Sequence, residues 1–338
     1  MKTHNSKEFV AAYSKTVKPG MGFHELLDFD KWRGNARSKL QQLLGLPFAA
    51  CDDDFKITNI EETSQIKKIE FEFQSEQGYY IACVMLCPQN QTKPLPVAIC
   101  LQGHSTGKHI SLGYKLFDGD TENYINRSNI AVQAVKNGYC AVAFDQRYMG
   151  AAGRDEKGNP ECIVTNAIFP SLLMGRTPIG ERVWDIQRVI DVMEKHLTEY
   201  IDPCRIMCMG NSGGGTATFY AAAIDDRIHL AVPSCAVCSF DDSIIPISHC
   251  GCNYVPGIRK YFDMGDIGCL IAPKKLIVVN GNKDEIFPIG GAKKAYDVIA
   301  SAYGKLGKSE NCHMIIGEGG HRFYGDDVWP QINKTIYI

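Results

Sequence analysis

The segment Gly210–Gly214, with the sequence GNSGG, points more directly to chemistry than any other part of this 338-residue chain. The apolar run RIMCM before it predicts a buried strand, and SGGGTATFYAAAI predicts a helix that starts at the serine. Gly-x-Ser-x-Gly between a strand and a helix is typical of a nucleophile elbow, a turn so tight that its flanking residues must be small. We therefore predict that Ser212 is a nucleophile.

A serine nucleophile needs a base, and the base needs an acid that orients it. Asp284 follows the predicted strand KKLIVVNG, 72 residues after Ser212, and His321 follows the last predicted strand, 37 residues further on. After such an elbow the acid comes next along the chain and the histidine last, and open α/β sheets build their sites at the carboxyl ends of strands. We predict that His321 is the general base and that Asp284 orients it. Glu285 is the alternative acid; taken singly, Asp284 could be a turn former and His321 a packed loop histidine.

Acyl transfer also requires N–H donors for the oxyanion of the tetrahedral intermediate. One donor is expected from Gly213, the residue after the nucleophile, and the other from the loop after the third strand. That loop begins LQGH at residues 101–104, so we predict the backbone N–H of His104 as the second donor. A role for the His104 ring, or simple packing, is the alternative.

Other interpretations of the glycine-rich segments are weaker. Gly210–Gly214 could be an ordinary turn between a strand and a helix. A dinucleotide fingerprint requires glycine where this chain has Ser212. Residues 103–109, GHSTGKH, resemble a phosphate-binding loop, but their spacing differs by one residue and the final hydroxyl is missing. The catalytic interpretation is therefore favoured.

The chain contains 14 cysteines, many of them inside apolar runs, where cysteine behaves as a small buried hydrophobe. A zinc site could be drawn from Cys235 and Cys238 together with His249, Cys250 and Cys252. However, Cys235 and Cys238 fall in the predicted strand HLAVPSCAV, where alternation would turn them to opposite faces. The sequence therefore predicts buried free thiols, and neither a metal nor another cofactor is expected.

The elements that must position these residues divide the chain in two. Residues 1–56 predict an amphipathic helical extension, and residues 57–338 predict a catalytic domain. IKKIEFEFQS and GYYIACVMLCP predict an antiparallel hairpin, and strands and helices alternate after it. The predicted fold class is α/β, with a mostly parallel sheet of about eight strands, an antiparallel leading hairpin and helices on both faces. The segments 104–128, 148–181 and 239–268 are expected to be functional loops or to carry small helices.

The composition narrows the classes of partner. A net charge of −2 supplies no basic field for nucleic acid or anionic lipid, and no apolar run approaches the ~18 residues that a membrane span needs. The N-terminal sequence MKTHNSKEFVAAYSK lacks a signal-peptide pattern, so a cytoplasmic location is expected. A small-molecule ester is the expected partner. The N-terminal helices either pack on the main domain or form a homo-oligomer contact.

Further motifs, together with the elbow, resemble the α/β-hydrolase superfamily over roughly residues 57–338. They resemble in particular its acetyl xylan esterase-like, or cephalosporin-C deacetylase-like, branch, which is near the dienelactone hydrolases and the prolyl-oligopeptidase-type hydrolases. These motifs are WRGNARSKL (32–40) before LGLP (44–47), DQRYMG (145–150), LMGRT (173–177), RVWD (182–185), and NYVPG (253–257) before AP (272–273). Two positions depart from relatives: Ser212 replaces the cysteine of dienelactone hydrolases, and Gln102 replaces the histidine of a His-Gly pair.

The resemblance implies hydrolysis of small acyl esters, often acetyl groups on sugars, by a Ser-His-Asp triad through an acyl-enzyme. Arg147 and Arg176 lie in or beside loops at strand ends, where they could bind a substrate carboxylate or form structural ion pairs. A serine peptidase or amidase of the prolyl-oligopeptidase type is one alternative, which turnover of aminoacyl-nitroanilides would favour. A catalytically idle hydrolase fold used for binding is the other, which failure of a fluorophosphonate probe to label Ser212 would favour.

Overall fold

Nine strands form one sheet in the computed structural model of this protein, which describes residues 3–336. The strands are β1 (Lys56–Glu62), β2 (Ile66–Glu76), β3 (Tyr79–Pro88), β4 (Leu95–Leu101), β5 (Cys140–Phe144), β6 (Ile201–Asn211), β7 (Ile228–Ser234), β8 (Lys275–Gly281) and β9 (Cys312–Gly317). Their order across the sheet is β1-β2-β3-β5-β4-β6-β7-β8-β9. Pairs from β1 to β5 are antiparallel, and those between β5 and β9 are parallel. The predicted fold class is confirmed.

The leading strands agree with the predicted hairpin and add one strand to it. In the β2–β3 pair, Ile69 lies opposite Met85 and Phe71 opposite Cys83, with all four side chains buried. Strand β1 pairs with β2 at the edge of the sheet, and all its residues are exposed. The sequence did not predict β1, because a strand without a buried face carries no apolar alternation.

Helices cover both faces of the sheet, as predicted. They are α1 (Ser6–Ser14), α2 (Phe29–Leu44), α3 (Glu122–Ser128), α4 (Ile130–Lys136), α5 (Glu161–Val164), α6 (Phe169–Leu173), α7 (Pro178–His196), α8 (Gly213–Ile224), α9 (Met264–Cys269), α10 (Ile289–Lys305) and α11 (Gly325–Ile336). Residues of α2, α7, α8, α9 and α10 share one apolar core, and residues of α4 and α11 belong to the core on the opposite face. Helix α8 is buried along its whole length, which fixes the position of its N-terminus.

Helix α2, from the predicted N-terminal extension, packs into the main core. Asp28 caps its N-terminus, and Gly45 ends it with a φ of 82°. A Cβ atom at Gly45 would lie 2.5 Å from the carbonyl oxygen of Gly175, so this position needs glycine for its space as well as for its backbone conformation. The buried side chains of Trp32 and Leu40 join the core that α7 and α8 line.

One predicted boundary differs from the structure. The predicted strand HLAVPSCAV ends early, at Ser234, because Cys235 adopts a left-handed φ of 48°. The prediction that Cys235 and Cys238 lie in a strand is therefore wrong.

The three long segments contain α3, α5, α6, α9 and several short 3₁₀ turns, as expected. Among residues 3–336, no helix combines the length and the apolar character that crossing a membrane requires.

Candidate active site

The elbow at Ser212 has the geometry that its glycines predict. Strand β6 ends at Asn211, helix α8 begins at Gly213, and Ser212 between them has φ 54° and ψ −121°. A Cβ atom at Gly210 would lie 2.5 Å from the carbonyl carbon of Gly214, and one at Gly214 would lie 2.3 Å from the carbonyl oxygen of Leu101. Only glycine fits both positions. A non-glycine residue at positive φ is strained, and it keeps this conformation only where the surrounding structure holds it. The buried helix α8 holds Ser212 in this way.

Asp284 and His321 form a hydrogen-bonded pair. The Oδ2 atom of Asp284 lies 2.8 Å from Nδ1 of His321, while its Oδ1 atom accepts the backbone N–H groups of Ile286 at 2.9 Å and Phe287 at 3.0 Å. The Asp284 side chain is fully buried, and that of His321 is 21% exposed. Both residues follow the ends of adjacent parallel strands, β8 and β9, as the sequence predicted.

The charge of Asp284 is maintained by these contacts. Burial alone raises the pKa of its carboxyl group, but the hydrogen bonds from His321 and from the two backbone N–H groups outweigh burial and hold the pKa below its ordinary value. The carboxylate therefore remains charged at neutral pH and accepts a hydrogen bond from the Nδ1–H group of His321. With the proton on Nδ1, the Nε2 atom of neutral His321 is a proton acceptor.

Ser212 and His321 line the same cavity, which has a volume of about 560 Å³. The Nε2 atom of His321 is buried and has no hydrogen-bond partner within residues 3–336. The Phe287 ring stacks on the His321 ring with centroids 6.0 Å apart and an interplanar angle of 16°, which restricts the imidazole. The cavity is thus bordered by a serine hydroxyl and by an imidazole whose acceptor atom is free to receive a proton.

The predicted oxyanion donors lie beside the elbow. A Cβ atom at Gly103 would lie 3.2 Å from that of Ser212, and one at Gly213 would lie 2.7 Å from Cε1 of His104, so the loop after β4 packs directly on the elbow. The N–H of Gly213 belongs to the first turn of α8, where helices leave their donors unpaired. The N–H of His104 makes no hydrogen bond within the described part of the chain. Two N–H groups are therefore available near Ser212.

Arg147 and Arg176 are engaged in ion pairs away from this cavity. Arg147 donates to both carboxylate oxygens of Asp185 at 2.8 Å and lies 2.7 Å from Glu76. Arg176 also binds Glu76, at 2.7 and 2.9 Å, and donates to Glu181 at 2.8 Å. Neither arginine lines the cavity. These contacts favour the structural ion pairs that the sequence left as an alternative to substrate binding.

The cysteines are arranged differently from the zinc set considered in the sequence. The Sγ atom of Cys235 lies near Asp284 and His321, whereas those of Cys250 and Cys252 lie near His104. Cys238 donates to the carbonyl oxygen of Pro288. Sequence analysis missed this grouping with His104, and it also missed the ring that packs on His321. Neither has a motif, because the residues come together only through the folding of the loops.

Three comparisons with known proteins agree on the fold. A hydrolase of Bacillus subtilis, named "Putative hydrolase YtaP", is 26% identical over 241 residues, which are 69% of this chain and 75% of that protein. A structure from Bacteroides fragilis, described as a "putative acetyl xylan esterase", has a TM-score of 0.82 at 20% identity over 98% of this chain and 95% of that one. A glucuronoyl esterase from Solibacter usitatus has a TM-score of 0.67 at 14% identity over 91% of both chains.

The family assignment rests on a longer match. The sequence model described as "Abhydrolase family" matches residues 3–314, a span that runs from the N-terminal helices into the start of β9. This match confirms the resemblance to the α/β-hydrolase superfamily that the elbow and the strand-end residues indicated. The chain belongs to the Abhydrolase family.

Proposed function

We propose that this protein is a serine carboxylester hydrolase that removes small acyl groups, foremost acetyl, from carbohydrates. One observation carries the proposal: the Asp284–His321 pair presents a free Nε2 atom to the cavity that is also lined by Ser212, a residue strained at positive φ. The relatives described as acetyl xylan esterase and glucuronoyl esterase support a carbohydrate ester as the substrate.

The mechanism follows from these positions. The Oγ atom of Ser212 attacks the ester carbonyl carbon while Nε2 of His321 takes the hydroxyl proton. The N–H groups of Gly213 and His104 bind the resulting oxyanion. Collapse of the intermediate breaks the carbon–oxygen bond, and His321 gives its proton to the leaving alcohol. A water then repeats these steps on the acyl-serine, releasing the acid and restoring the serine hydroxyl.

The cavity favours uncharged substrates. Its lining combines apolar side chains with hydroxyl, amide and imidazole groups, and none of the lining residues in the described chain is Lys, Arg, Asp or Glu. A substrate carboxylate would find no lysine or arginine to pair with there, and burying it unpaired would be costly. A volume of about 560 Å³ suits a single sugar with a short acyl chain better than a polymer segment.

A substrate panel tests this proposal. We expect the highest kcat/KM with acetylated xylose, lower values with longer acyl chains because the cavity is short, and no turnover of alanine p-nitroanilide. The methyl ester of glucuronic acid distinguishes an activity like that of the glucuronoyl esterase from one like that of the acetyl xylan esterase. Preference for that ester would contradict acetyl specificity, and turnover of the nitroanilide at a comparable rate would identify a peptidase or amidase instead.

The oxyanion donors can be tested at Gly213. In Gly213→Ala the new methyl group would lie 2.7 Å from the His104 ring, so the loop carrying the second donor must move. We expect kcat to fall ~10²–10³-fold with little change in KM, since a misplaced donor affects mainly the transition state. Gly290→Ala is the matched control, because no atom lies within 4 Å of the added Cβ. Equal activity of the two variants would contradict the role of Gly213 and His104 as oxyanion donors.

A further inference from the structure

A cluster of sulfur and nitrogen atoms lies behind one wall of the cavity. The Sγ atom of Cys252 is 3.3 Å from Nε2 of His104 and 3.1 Å from Sγ of Cys250, and the three side-chain atoms all lie within 4.8 Å of one another. Cys162 adjoins this group, since its carbonyl oxygen accepts a hydrogen bond from Sγ of Cys250 at 3.1 Å. The cluster is defined by His104, Cys162, Cys250 and Cys252.

A buried cation accompanies the cluster. Arg182 is 1% exposed, and its Nη2 atom lies 3.6 Å from Sγ of Cys162. The guanidinium also donates to the carbonyl oxygen of Arg147, and its Nη1 atom has no partner within residues 3–336. Arg182 forms no ion pair with a carboxylate in this part of the chain. An uncompensated buried charge is strongly destabilising. Thiolates at the neighbouring cysteines, of which Cys162 contacts the guanidinium, would supply the negative charge that compensates Arg182.

We propose that His104, Cys162, Cys250 and Cys252 bind a zinc ion. One imidazole and three thiolates are a common closed set of ligands for structural zinc. Three thiolates around Zn²⁺ carry a net charge of −1, and the guanidinium of Arg182 balances it. With only two thiolates the site would be neutral and Arg182 would remain uncompensated, which is why Cys162 is included as the fourth ligand.

The positions of His104, Cys250 and Cys252 are compatible with such a site, and the Cys162 side chain would have to turn towards them to complete it. Tetrahedral zinc with bonds of about 2.3 Å separates two sulfur ligands by about 3.8 Å. The sulfur atoms of Cys250 and Cys252 therefore need to move apart slightly, and Gly251 between them permits this adjustment. His104, Cys162 and Cys250 also line the cavity, so an ion has a route to the site.

The ligands come from three separate segments, which gives the ion a structural role. His104 follows β4, and Cys162 lies in α5. Cys250 precedes the 3₁₀ turn Gly251–Asn253, and Cys252 lies within it. A zinc ion would connect these segments and fix the loop after β4, which carries His104 and packs on the elbow. This inference does not depend on the proposed function, because metal content and spectra are measured without a substrate.

Cobalt and zinc provide the test. The full-length reduced protein, freed of metal with a chelator, is titrated with Co²⁺ and then with Zn²⁺. We expect one Co²⁺ per chain, with thiolate-to-cobalt charge-transfer bands and the strong visible bands of a tetrahedral site, displaced by Zn²⁺. We also expect zinc to raise the thermal midpoint, because an ion that binds only the folded state stabilises it.

Substitutions assign the ligands. Cys252→Ser and Cys162→Ser should each weaken binding by more than the about 10–100-fold that loss of an outer-shell contact costs, and should reduce the charge-transfer intensity. Cys204→Ser, at an exposed cysteine, and Cys235→Ser, at the second thiol–imidazole group, should leave the titration unchanged. If Cys252→Ser fails to fold, the binding by Cys162→Ser and the metal stoichiometry of the wild-type chain still test whether the cluster holds zinc.

Three results would overturn the proposal. The first is absence of stoichiometric binding by the reduced wild-type chain. The second is loss of binding in Cys235→Ser but not in Cys252→Ser, which would place the ion beside Asp284. The third is a Cys250–Cys252 disulfide, found by mass spectrometry in metal-free protein purified without reductant, that persists in place of metal binding.

Discussion

Ser212→Ala is expected to reduce kcat for acetyl-ester hydrolysis by about 10⁶-fold, the order of loss seen when the serine of a triad is removed. The fold should be unaffected. Alanine keeps the Cβ atom of serine, so the strain at φ 54° is unchanged, and the Ser212 hydroxyl makes no hydrogen bond within the described residues. We therefore expect loss of activity and of fluorophosphonate labelling at an unchanged thermal midpoint, measured by p-nitrophenyl acetate turnover, mass spectrometry and calorimetry.

Ser248→Ala is the control for this result. Ser248 is an exposed serine that lines the same cavity, and the ring of the adjacent His249 is hydrogen-bonded to Ser243 rather than to Ser248. Loss of one hydrogen bond to a substrate costs about 1 kcal/mol, so its activity should stay within about tenfold of wild type. If Ser212→Ala retained wild-type activity, the esterase mechanism would be wrong. If the wild-type chain resisted the fluorophosphonate probe, an idle hydrolase fold would be favoured instead.

The proposed triad could be predicted from the sequence because each of its members lies within a few residues of the carboxyl end of a parallel strand. Parallel strands such as β6, β8 and β9 appear as continuous apolar runs, and their carboxyl ends meet at one edge of the sheet. Ser212, Asp284 and His321 could therefore be placed together without knowing any loop. The elbow could also be recognised from the sequence, because its glycines are required. Backbone atoms close to Gly210 and Gly214 leave no room for a larger side chain.

What the sequence did not predict depends on long-range packing. Strand β1 is exposed on both faces, so its pairing with β2 leaves no apolar pattern. The grouping of Cys162 with His104 and Cys250 requires three long loops to converge. Spacing along the chain instead suggested that Cys250 joins Cys235 and Cys238, and Cys235 lies beside Asp284 and His321 in the structure. The ion pairs of Arg147 and Arg176 share Glu76, a residue about 100 positions away from Arg176, which no local motif could indicate.

Asp284→Asn is expected to lower kcat by ~10⁴-fold, because the amide changes the histidine tautomer. The asparagine oxygen would keep the two backbone N–H groups of Ile286 and Phe287, so its NH₂ group would face Nδ1 of His321. Nδ1 then becomes the acceptor and the proton moves to Nε2, which can no longer take the proton of Ser212. KM should change little, since no atom of Asp284 lines the cavity.

Glu285→Gln separates this tautomer effect from a general loss of charge at the turn. Glu285 is exposed and lies next to Asp284, so removal of its charge should leave kcat near wild type. Loss of activity in Glu285→Gln with retention in Asp284→Asn would make Glu285 the orienting acid.

Stability measurements provide a second, independent readout of Asp284. Its folded pKa is held below the unfolded value of about 3.9, so Asp284 stabilises the folded state above that pH, and this contribution is lost as the pH falls through the folded pKa. The difference in the free energy of unfolding between wild type and Asp284→Asn should therefore be largest at neutral pH and decrease below about pH 4. A difference that is independent of pH would show that the carboxylate carries no charge-dependent interaction with His321, and the proposed orienting role would then fail.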